Sequence, residues 1–374
     1  MRLGRTPPPL GELQRALEVA LATDGLALTV STSGSTGRPR EVALSAAALR
    51  SAADASAERL GGHGGWLLAL PVEHIAGAQV VVRSIIAGRA PATLPPGATF
   101  TAAAFAAAAA TLAAPRRYTS LVPTQLHRLV TAEPEGTDAL RAFDAVLVGG
   151  APCPPRLLEQ ARAAGVRVVM TYGMTETAGG CVYDGVPLDG TRVALDRVRR
   201  ILLTGPTLAS GYVIDDETLA RGELTDSVPG DRGAAFERRS GVRWVRSSDL
   251  GELDATGRVV VLGRADDVIV TGGVKVAPAP VEAILATVPG IREVCVVGLA
   301  DASWGEQVVA VVVVEPGVAI PALEDLRARV TERLGAAHAP RAVVALDALP
   351  TRGPGKVDRQ ATATAAAERL GEPD

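Results

Sequence analysis

The sequence from residue 32 to residue 40 is Thr32-Ser33-Gly34-Ser35-Thr36-Gly37-Arg38-Pro39-Arg40. It follows an apolar run at 26–30, which predicts a buried strand, and it precedes Ser45, a residue type typical of a helix N-cap. Glycines let a backbone turn its N–H groups towards one point, and hydroxyl and guanidinium groups add donors there. The stretch therefore predicts a phosphate-holding loop, although it lacks the spacing of a Walker A loop. A flexible Gly/Ser turn is the alternative for this stretch alone.

The bulk composition indicates a chain of more than one domain with little net charge. Its 374 residues can bury a large core, and a hydrophobic fraction of 47% with 3% aromatic residues indicates a core of alanine, valine and leucine. The formal net charge of −3 gives no electrostatic footprint for nucleic acid or anionic membrane. No signal-like run opens the sequence, and the apolar run at 308–314 is too short to cross a bilayer.

The number and spacing of the cysteines indicate the redox state of the compartment in which the protein works. Cys153, Cys181 and Cys295 are widely spaced and odd in number, which favours neither a disulfide framework nor a zinc site. We therefore expect a reducing, cytoplasmic location.

The order of predicted elements indicates an α/β fold. Apolar runs at 66–70, 118–122, 145–148 and 166–170 predict strands separated by helices, which is typical of parallel sheets covered on both faces. From about residue 179 the strands become shorter and turn residues more frequent. We predict an N-terminal domain at 1–264 with α/β layers and a β-rich subdomain at about 179–264. A small, mobile α+β domain at 265–374 follows, ending in a glycine-rich loop and a polar tail.

A second motif, Tyr172-Gly173-Met174-Thr175-Glu176-Thr177, follows the strand predicted to end at Met170. Loops at the carboxyl ends of parallel strands are where open α/β sheets bind ligands. An aromatic ring can cover adenine, a hydroxyl can reach a phosphate, and a carboxylate can hold Mg²⁺. An ordinary loop with a glycine turn is the alternative.

Two further motifs lie closer to the carboxyl terminus. Asp249, in Ser248-Asp249-Leu250-Gly251, precedes Arg264 by fifteen residues, and such a pair can bind ribose hydroxyls and phosphate. Gly353-Pro354-Gly355-Lys356 places a lysine on a glycine-rich loop, where its ammonium can stabilise charge on a transferring phosphoryl group. A solvated turn with a surface ion pair, and an ordinary exposed lysine, are the alternatives.

In this order the motifs resemble those of the acyl-adenylate-forming superfamily, which contains acyl-CoA synthetases, adenylation domains and luciferases. The resemblance extends from about residue 28 to 360. Within the superfamily the sequence resembles the 2-succinylbenzoate–CoA ligases of menaquinone biosynthesis, on the stretches 70–77, 79–84, 119–125 and 179–190 and on its short amino terminus. Arg40 and Val274 depart from the superfamily pattern, where a lysine and a glutamate are usual, as does Ser247-Ser248 before Asp249.

The resemblance implies roles for individual residues. Thr32, Ser33, Gly34, Ser35, Thr36 and Gly37 would hold the ATP phosphates. Gly149, Gly150, Ala151, Tyr172, Gly173 and Met174 would frame the adenine, and Asp249 and Arg264 would bind the ribose. Thr175 would lie near the α-phosphate, Glu176 would hold Mg²⁺, and Lys356 would bridge the acid and the α-phosphate. Asp266 would be the hinge, and Gly272, Gly273 and Lys275 would face CoA. His74, Gly77, Arg83, Ser120, Thr124 and Gln125 would surround the acid, with a packed or capping histidine as the alternative for His74.

The implied function is ATP-dependent ligation of 2-succinylbenzoate to CoA, with Mg²⁺ as cofactor and ATP and CoA as co-substrates. Ligation of another aryl or medium-chain acid, loading of a carrier protein, and non-catalytic nucleotide binding are the alternatives. No nucleic-acid or membrane partner is expected. The resemblance is compatible with a homodimer, although no stretch is typical of an interface.

Overall fold

The computed structural model describes residues 1–3, 7–32, 40–95, 97–131, 134–227, 235–352 and 356–371. The helices are α1 (Leu10–Leu21), α2 (Ala46–Leu60), α3 (Ile75–Ile86), α4 (Ala102–Ala110), α5 (Pro123–Thr131), α6 (Pro134–Arg141), α7 (Pro155–Ala163), α8 (Asp216–Ala220), α9 (Pro278–Leu285), α10 (Leu323–Leu334) and α11 (Arg359–Gly371). None of the helices in these stretches is long and apolar enough to cross a membrane.

The strands are β1 (Arg2–Leu3), β2 (Leu26–Thr32), β3 (Arg40–Ser45), β4 (Gly65–Leu68), β5 (Ala92–Thr93), β6 (Arg117–Leu121), β7 (Ala145–Gly149), β8 (Val168–Met174), β9 (Gly179–Tyr183), β10 (Val186–Pro187), β11 (Arg192–Leu195), β12 (Arg200–Thr204), β13 (Gly211–Val213), β14 (Ala235–Arg239), β15 (Val242–Leu253), β16 (Val259–Arg264), β17 (Ile269–Thr271), β18 (Val274–Val276), β19 (Ile291–Asp301), β20 (Gly305–Val314), β21 (Ala342–Ala345), β22 (Thr351–Arg352) and β23 (Lys356–Val357).

The chain divides into two compact units. The first contains Met1–Gly150, Gln160–Ser248 and Glu252–Val260, and the second contains Ala151–Glu159, Asp249–Gly251 and Val261–Asp374. The predicted domain boundary between residues 264 and 265 stays a prediction.

The first unit is built on three sheets. Sheet A has the strand order β1-β2-β3-β13, and sheet B has the order β10-β9-β8-β7-β6-β4-β5. Sheet B is parallel from β5 to β8, and β9 pairs antiparallel with β8. In sheet C the order is β11-β12-β15-β14, and β16 also pairs with β15. The predicted α/β class is confirmed.

One core joins the helices of the first unit to sheets A and B. Leu17 of α1, Leu49 of α2 and Val81 of α3 are buried in one cluster with Val42 of β3 and Val182 of β9. The local signals for α2 act as the sequence predicts, because Ser45 Oγ accepts from Ala48 N at 3.1 Å. Burial of these apolar faces stabilises the layers that position the carboxyl edge of sheet B.

The second unit has a sheet of its own. Its strand order is β18-β17-β20-β19, and β21 lies parallel to β20. Helices α9 and α10 pack on it through Val281, Leu285, Leu326 and Val330. Strands β22 and β23 form a separate antiparallel pair, called here the Lys356 ribbon, in which Arg352 is paired with Lys356.

Three local predictions are wrong, and one strand was not predicted. Residues 40–45 form β3 before α2 begins, because Val42, Ala43 and Leu44 complete a buried hairpin with β2. The alanine-rich run at 101–114, with Thr101 as a cap and Pro115 as a stop, predicts a helix of that length, but α4 ends at Ala110. Strand β8 continues to Met174, since β9 pairs with it. The expected polar tail is α11, whose Thr362 and Ala366 are buried.

Candidate active site

The carboxyl edge of sheet B brings several predicted residues together. Ser120 near the end of β6, Gly149 at the end of β7 and Tyr172 in β8 lie on neighbouring parallel strands. His74 lies after β4 at the N-cap position of α3, is exposed, and makes no side-chain capping bond. A Cβ on Gly149 would lie 2.3 Å from Thr171 Oγ1, so the close approach of β7 and β8 requires glycine there.

The residues after β8 form a tight turn. Thr175, Glu176 and Thr177 make one turn of 3₁₀ helix. Thr177 Oγ1 accepts from Met174 N at 3.0 Å and donates to Gly179 O at 2.8 Å, which fixes where the turn begins and ends. A Cβ on Gly173 would lie 2.1 Å from Gly179 O, so Gly173 is required by the pairing of β8 with β9.

Glu176 is the most buried acidic side chain of this edge, with 4% of the residue exposed. Tyr212 Oη donates to Glu176 Oε1 at 2.8 Å, and Arg40 Nη1 lies 3.9 Å from the same oxygen. The Arg40 guanidinium also lies over the Tyr212 ring, 5.5 Å from its centroid. A buried carboxylate needs such a cation and donor, because desolvation penalises an isolated charge.

Tyr212 was not identified from the sequence. It lies in β13, which pairs with β3, the strand that begins with Arg40. The bond from Ala209 N to Glu176 O, at 2.9 Å, holds the same segment against the turn. The segment around Tyr212 carries no motif. Tyr212 could have been identified only from evidence that β3 pairs with a strand nearly 170 residues later.

Glu176 fits the role of a magnesium ligand. Within the described stretches, both side-chain partners of its carboxylate approach Oε1, and no side chain contacts Oε2. No group of three or more His, Cys, Asp and Glu side chains in those stretches could hold a metal by itself. Mg²⁺ is commonly bound through one or two carboxylates, with phosphate and water oxygens completing its shell. Glu176 as the single protein carboxylate is compatible with that chemistry.

In the second unit the structure brings Asp249 and Arg264 together. Their Oδ1 and Nη1 atoms are 3.9 Å apart, and Arg264 Nη2 lies 3.6 Å from Asp266 Oδ2. Asp249 lies in β15 and Arg264 ends β16, and these two strands pair with each other. The alternative of a solvated turn at 248–251 is wrong, because these residues lie within β15.

The predicted CoA residues lie on the turn between β17 and β18. Gly272 and Gly273 have φ of +55° and +78°, which favour glycine. A Cβ on Gly272 would also lie 2.7 Å from the Trp304 ring. Lys275 follows in β18 and is exposed. The roles of these residues stay predictions.

Some predicted residues cannot be located. Ser33, Gly34, Ser35, Thr36 and Gly37 lie outside the described residues, whereas Thr32 and Arg40 on either side are described. Lys356 has a described backbone in β23.

Two of the predicted acid-binding residues have other contacts. Gln125 Nε2 donates to Ala69 O at 2.8 Å and its Oε1 accepts from Val122 N at 3.1 Å, so its carboxamide ties α5 to the ends of β4 and β6. Gly77 is packed against Pro71, whose oxygen would lie 2.1 Å from a Cβ. Thr124 is exposed on the first turn of α5.

Arg83 also has contacts of its own. Its guanidinium lies 4.8 Å from the Trp66 ring centroid, and Nη2 donates to Tyr183 Oη at 3.3 Å. Trp66 is the second residue of β4, and Tyr183 pairs with Thr171, which pairs with Gly149 at the end of β7. The role of Arg83 at the acid stays a prediction.

Comparison with known proteins agrees with this geometry. Residues 6–231 match the family model of the AMP-binding enzymes, and residues 280–356 match that of the AMP-binding enzyme C-terminal domain. The chain belongs to the AMP-binding enzyme family. The resemblance to acyl-adenylate-forming enzymes is thereby confirmed.

Individual members of the family extend the comparison. A probable 2-succinylbenzoate–CoA ligase of Mycobacterium tuberculosis is 47% identical over 90% of this chain and 84% of its own length. A 2-succinylbenzoate–CoA ligase of Bacillus licheniformis is 30% identical over 94% of this chain and 72% of its own length. The structure of o-succinylbenzoate CoA synthetase (MenE) from Bacillus subtilis with the acyl-adenylate OSB-AMP has a TM-score of 0.70 at 26% identity, covering 94% of this chain and 70% of that one.

Proposed function

We propose that the chain is an AMP-forming acid–CoA ligase. It converts 2-succinylbenzoate, ATP and CoA to 2-succinylbenzoyl-CoA, AMP and pyrophosphate through an acyl-adenylate. The observation that carries the substrate is the 47% identity to a probable 2-succinylbenzoate–CoA ligase over 90% of the chain. The Arg40–Glu176–Tyr212 cluster supports the chemistry, since it pairs a buried carboxylate with a cation and a hydroxyl donor beside the carboxyl edge of sheet B.

In the first half-reaction the acid carboxylate attacks the α-phosphate of ATP and pyrophosphate leaves. The loop at 32–37 and Arg40 bind the β- and γ-phosphates, Asp249 and Arg264 bind the ribose, and Tyr172 covers the adenine. Glu176 holds Mg²⁺, which supplies charge neutralisation on the phosphates when bound. Little proton transfer is required, so positioning and electrostatic stabilisation provide the catalysis.

In the second half-reaction the CoA thiolate attacks the acyl carbonyl and AMP leaves. Residues 265 onwards rotate about Asp266, which withdraws Lys356 and brings the turn at Gly272–Gly273 to the reacting group. One site thereby performs two reactions through a change of conformation.

The lysine content supports a special role for Lys356. Of the 38 basic residues only Lys275 and Lys356 are lysines, and each lies on a segment proposed to act in one of the half-reactions. A compact ammonium and a planar guanidinium differ in geometry. The presence of lysine at this position in an arginine-rich chain therefore favours a role in which the side chain acts as a point charge.

The substrate assignment is tested by AMP release with ATP, Mg²⁺ and CoA across a panel of acids. The panel contains 2-succinylbenzoate, benzoate, a hydroxycinnamate and a medium-chain fatty acid. We expect a preference for 2-succinylbenzoate of about a hundredfold in kcat/KM, which corresponds to roughly 2.7 kcal/mol. Turnover with another acid alone would overturn the substrate but keep the ligase, and no AMP with any acid would favour non-catalytic nucleotide binding.

Lys356 is tested by separating the half-reactions. Lys356→Ala and Lys356→Arg should both lose adenylation and retain thioester formation from supplied acyl-adenylate. Lys275→Ala is the matched control, for which we expect adenylation within about twofold of the wild type. Equal loss of both half-reactions in Lys356→Ala would contradict the assignment.

A further inference from the structure

Arg359 is the first residue of α11 and follows Lys356 by three positions. Its Nη1 donates to Glu282 Oε1 at 2.6 Å and also to Val296 O, while its Nε donates to Asp267 Oδ2 at 3.2 Å. The side chain is 26% exposed, and that of Glu282 is 13% exposed. One guanidinium thus joins the start of α11 to α9, to β19 and to the segment before β17.

The start of α11 has few apolar contacts in the described part of the chain, although Asp358 Oδ1 accepts from Ala361 N at 3.2 Å and Asp358 N donates to Pro350 O at 2.8 Å. The buried side chains of this helix are Thr362 and Ala366, which are small and bury little apolar area. The carboxylate of Glu282 is itself fixed, since Oε1 also accepts from Val296 N at 2.8 Å. The planar fork of Arg359 therefore provides the directional anchor of the helix start.

The electrostatic surroundings keep Arg359 charged. Burial by itself lowers the pKa of Arg359, but the negative charges of Glu282 and Asp267 outweigh it and the pKa is raised overall. The nearby Cys295 Sγ lies 3.4 Å from Nη1, and burial raises the pKa of this thiol to about 12. The Arg359 guanidinium therefore remains charged at physiological pH.

The anchor is also continuous with the proposed nucleotide contacts of the second unit. Asp267 is adjacent to Asp266 in a single 3₁₀ turn, Asp266 pairs with Arg264, and Arg264 faces Asp249. A series of charged side chains therefore extends from Asp249 to the start of α11. The chain of contacts passes through the segment proposed as the hinge.

We propose that Arg359 is a positioning residue, which sets the Lys356 ribbon relative to the segment Ala265–Asp267. It acts through Lys356 and does not itself contact a substrate. This inference rests on the proposed function, because it assigns Arg359 to the adenylation half-reaction only.

The first test is independent of catalysis. Hydrogen exchange of the amides at 356–362 is compared in the wild type, Arg359→Gln and Asp267→Asn, with no substrate present. We expect exchange to be about tenfold faster in Arg359→Gln and faster to a smaller extent in Asp267→Asn, which removes one partner without changing size. Arg369→Gln is the matched control, because Arg369 is exposed on the same helix and its side chain makes no ion pair or hydrogen bond within the described stretches. Unchanged exchange in both variants would overturn the proposal.

The second test separates the half-reactions. In Arg359→Gln we expect adenylation to fall about tenfold or more, and thioester formation from supplied acyl-adenylate to fall less than about threefold. Arg359→Lys should be intermediate, since it keeps the charge and loses the fork. A residue that only stabilises the fold would lower both half-reactions alike, and that result would overturn the assignment to Lys356. Absence of adenylation in the wild type would instead reject the proposed function, while the exchange result would still decide whether Arg359 anchors the ribbon.

Discussion

Glu176 and Arg40 form a nearly fully buried pair, 3.9 Å apart, with Tyr212 donating to the same carboxylate oxygen. Removal of one partner from such a pair leaves an uncompensated charge, so we expect Arg40→Met to lower the free energy of unfolding by about 3–5 kcal/mol. Arg2→Met is the control, because Arg2 pairs with Glu41 and Asp216 but is 43% exposed, so the loss of its side chain should cost less than about 1 kcal/mol. Both losses are measured from the midpoints of urea unfolding, provided that the slope of unfolding free energy against urea concentration is unchanged. Equal losses would mean that burial of the Arg40–Glu176 pair has no energetic consequence.

Arg83 is also a buried cation but, unlike Arg40, it has no carboxylate partner among the described residues. It is 5% exposed, makes no ion pair with a described carboxylate, and its Nε has no hydrogen-bond partner in the described stretches. Since an incompletely satisfied buried charge is costly, we expect Arg83→Met to leave the melting temperature unchanged or to raise it. Because the Arg83 guanidinium is already held by Trp66 and Tyr183, KM for 2-succinylbenzoate should change less than about twofold. A tenfold rise in KM would instead support the predicted acid-binding role of Arg83.

Helix α3 depends on the close approach of Gly77 to the backbone of Pro71. A Cβ on Gly77 would lie 2.1 Å from Pro71 O, a backbone atom that cannot move without the loop that carries His74. We expect Gly77→Ala to destabilise the protein by about 1–3 kcal/mol through overpacking and to raise KM for the acid by displacing His74. The control is Gly11→Ala in α1, where no atom lies within 4 Å of the new Cβ. That substitution should stabilise by about 0.5–1 kcal/mol, because alanine loses less entropy in a helix. Similar thermal shifts for the two variants would contradict the packing argument.

At the scale of the whole molecule, two half-reactions at one site require two arrangements of the chain around Asp266. Proline fixes φ near −65°, so Asp266→Pro should favour one arrangement. We expect one half-reaction to fall at least about tenfold while the other stays within about threefold, measured by pyrophosphate release and by thioester formation from supplied acyl-adenylate. Asp266→Ala removes the contact with Arg264 without restricting φ, and it should retain both within about threefold. Parallel losses in Asp266→Pro would argue against a hinge at this position.

Much of the molecule could be predicted from local patterns. Helix α2 begins after the capping residue Ser45, and β4, β6 and β7 coincide with apolar runs. Strand β3 and helix α11 were missed, because β3 is short and has only three consecutive buried residues, and α11 is alanine-rich with weak amphipathicity. Their assignment depends on pairing with β2 and on the contacts of Arg359, neither of which is local in sequence.

Local patterns were enough to predict the fold class, the family and the order of the motifs, because each of these depends on residues that are close together along the chain. The support of Glu176 by Tyr212, 36 residues away, and the contact of Arg359 with Asp267, 92 residues away, could be found only in the folded chain. The physical reason is that a buried charge is stabilised by whichever donors the packed sheets bring within a few ångströms, and the periodicity of a sequence does not contain that distance.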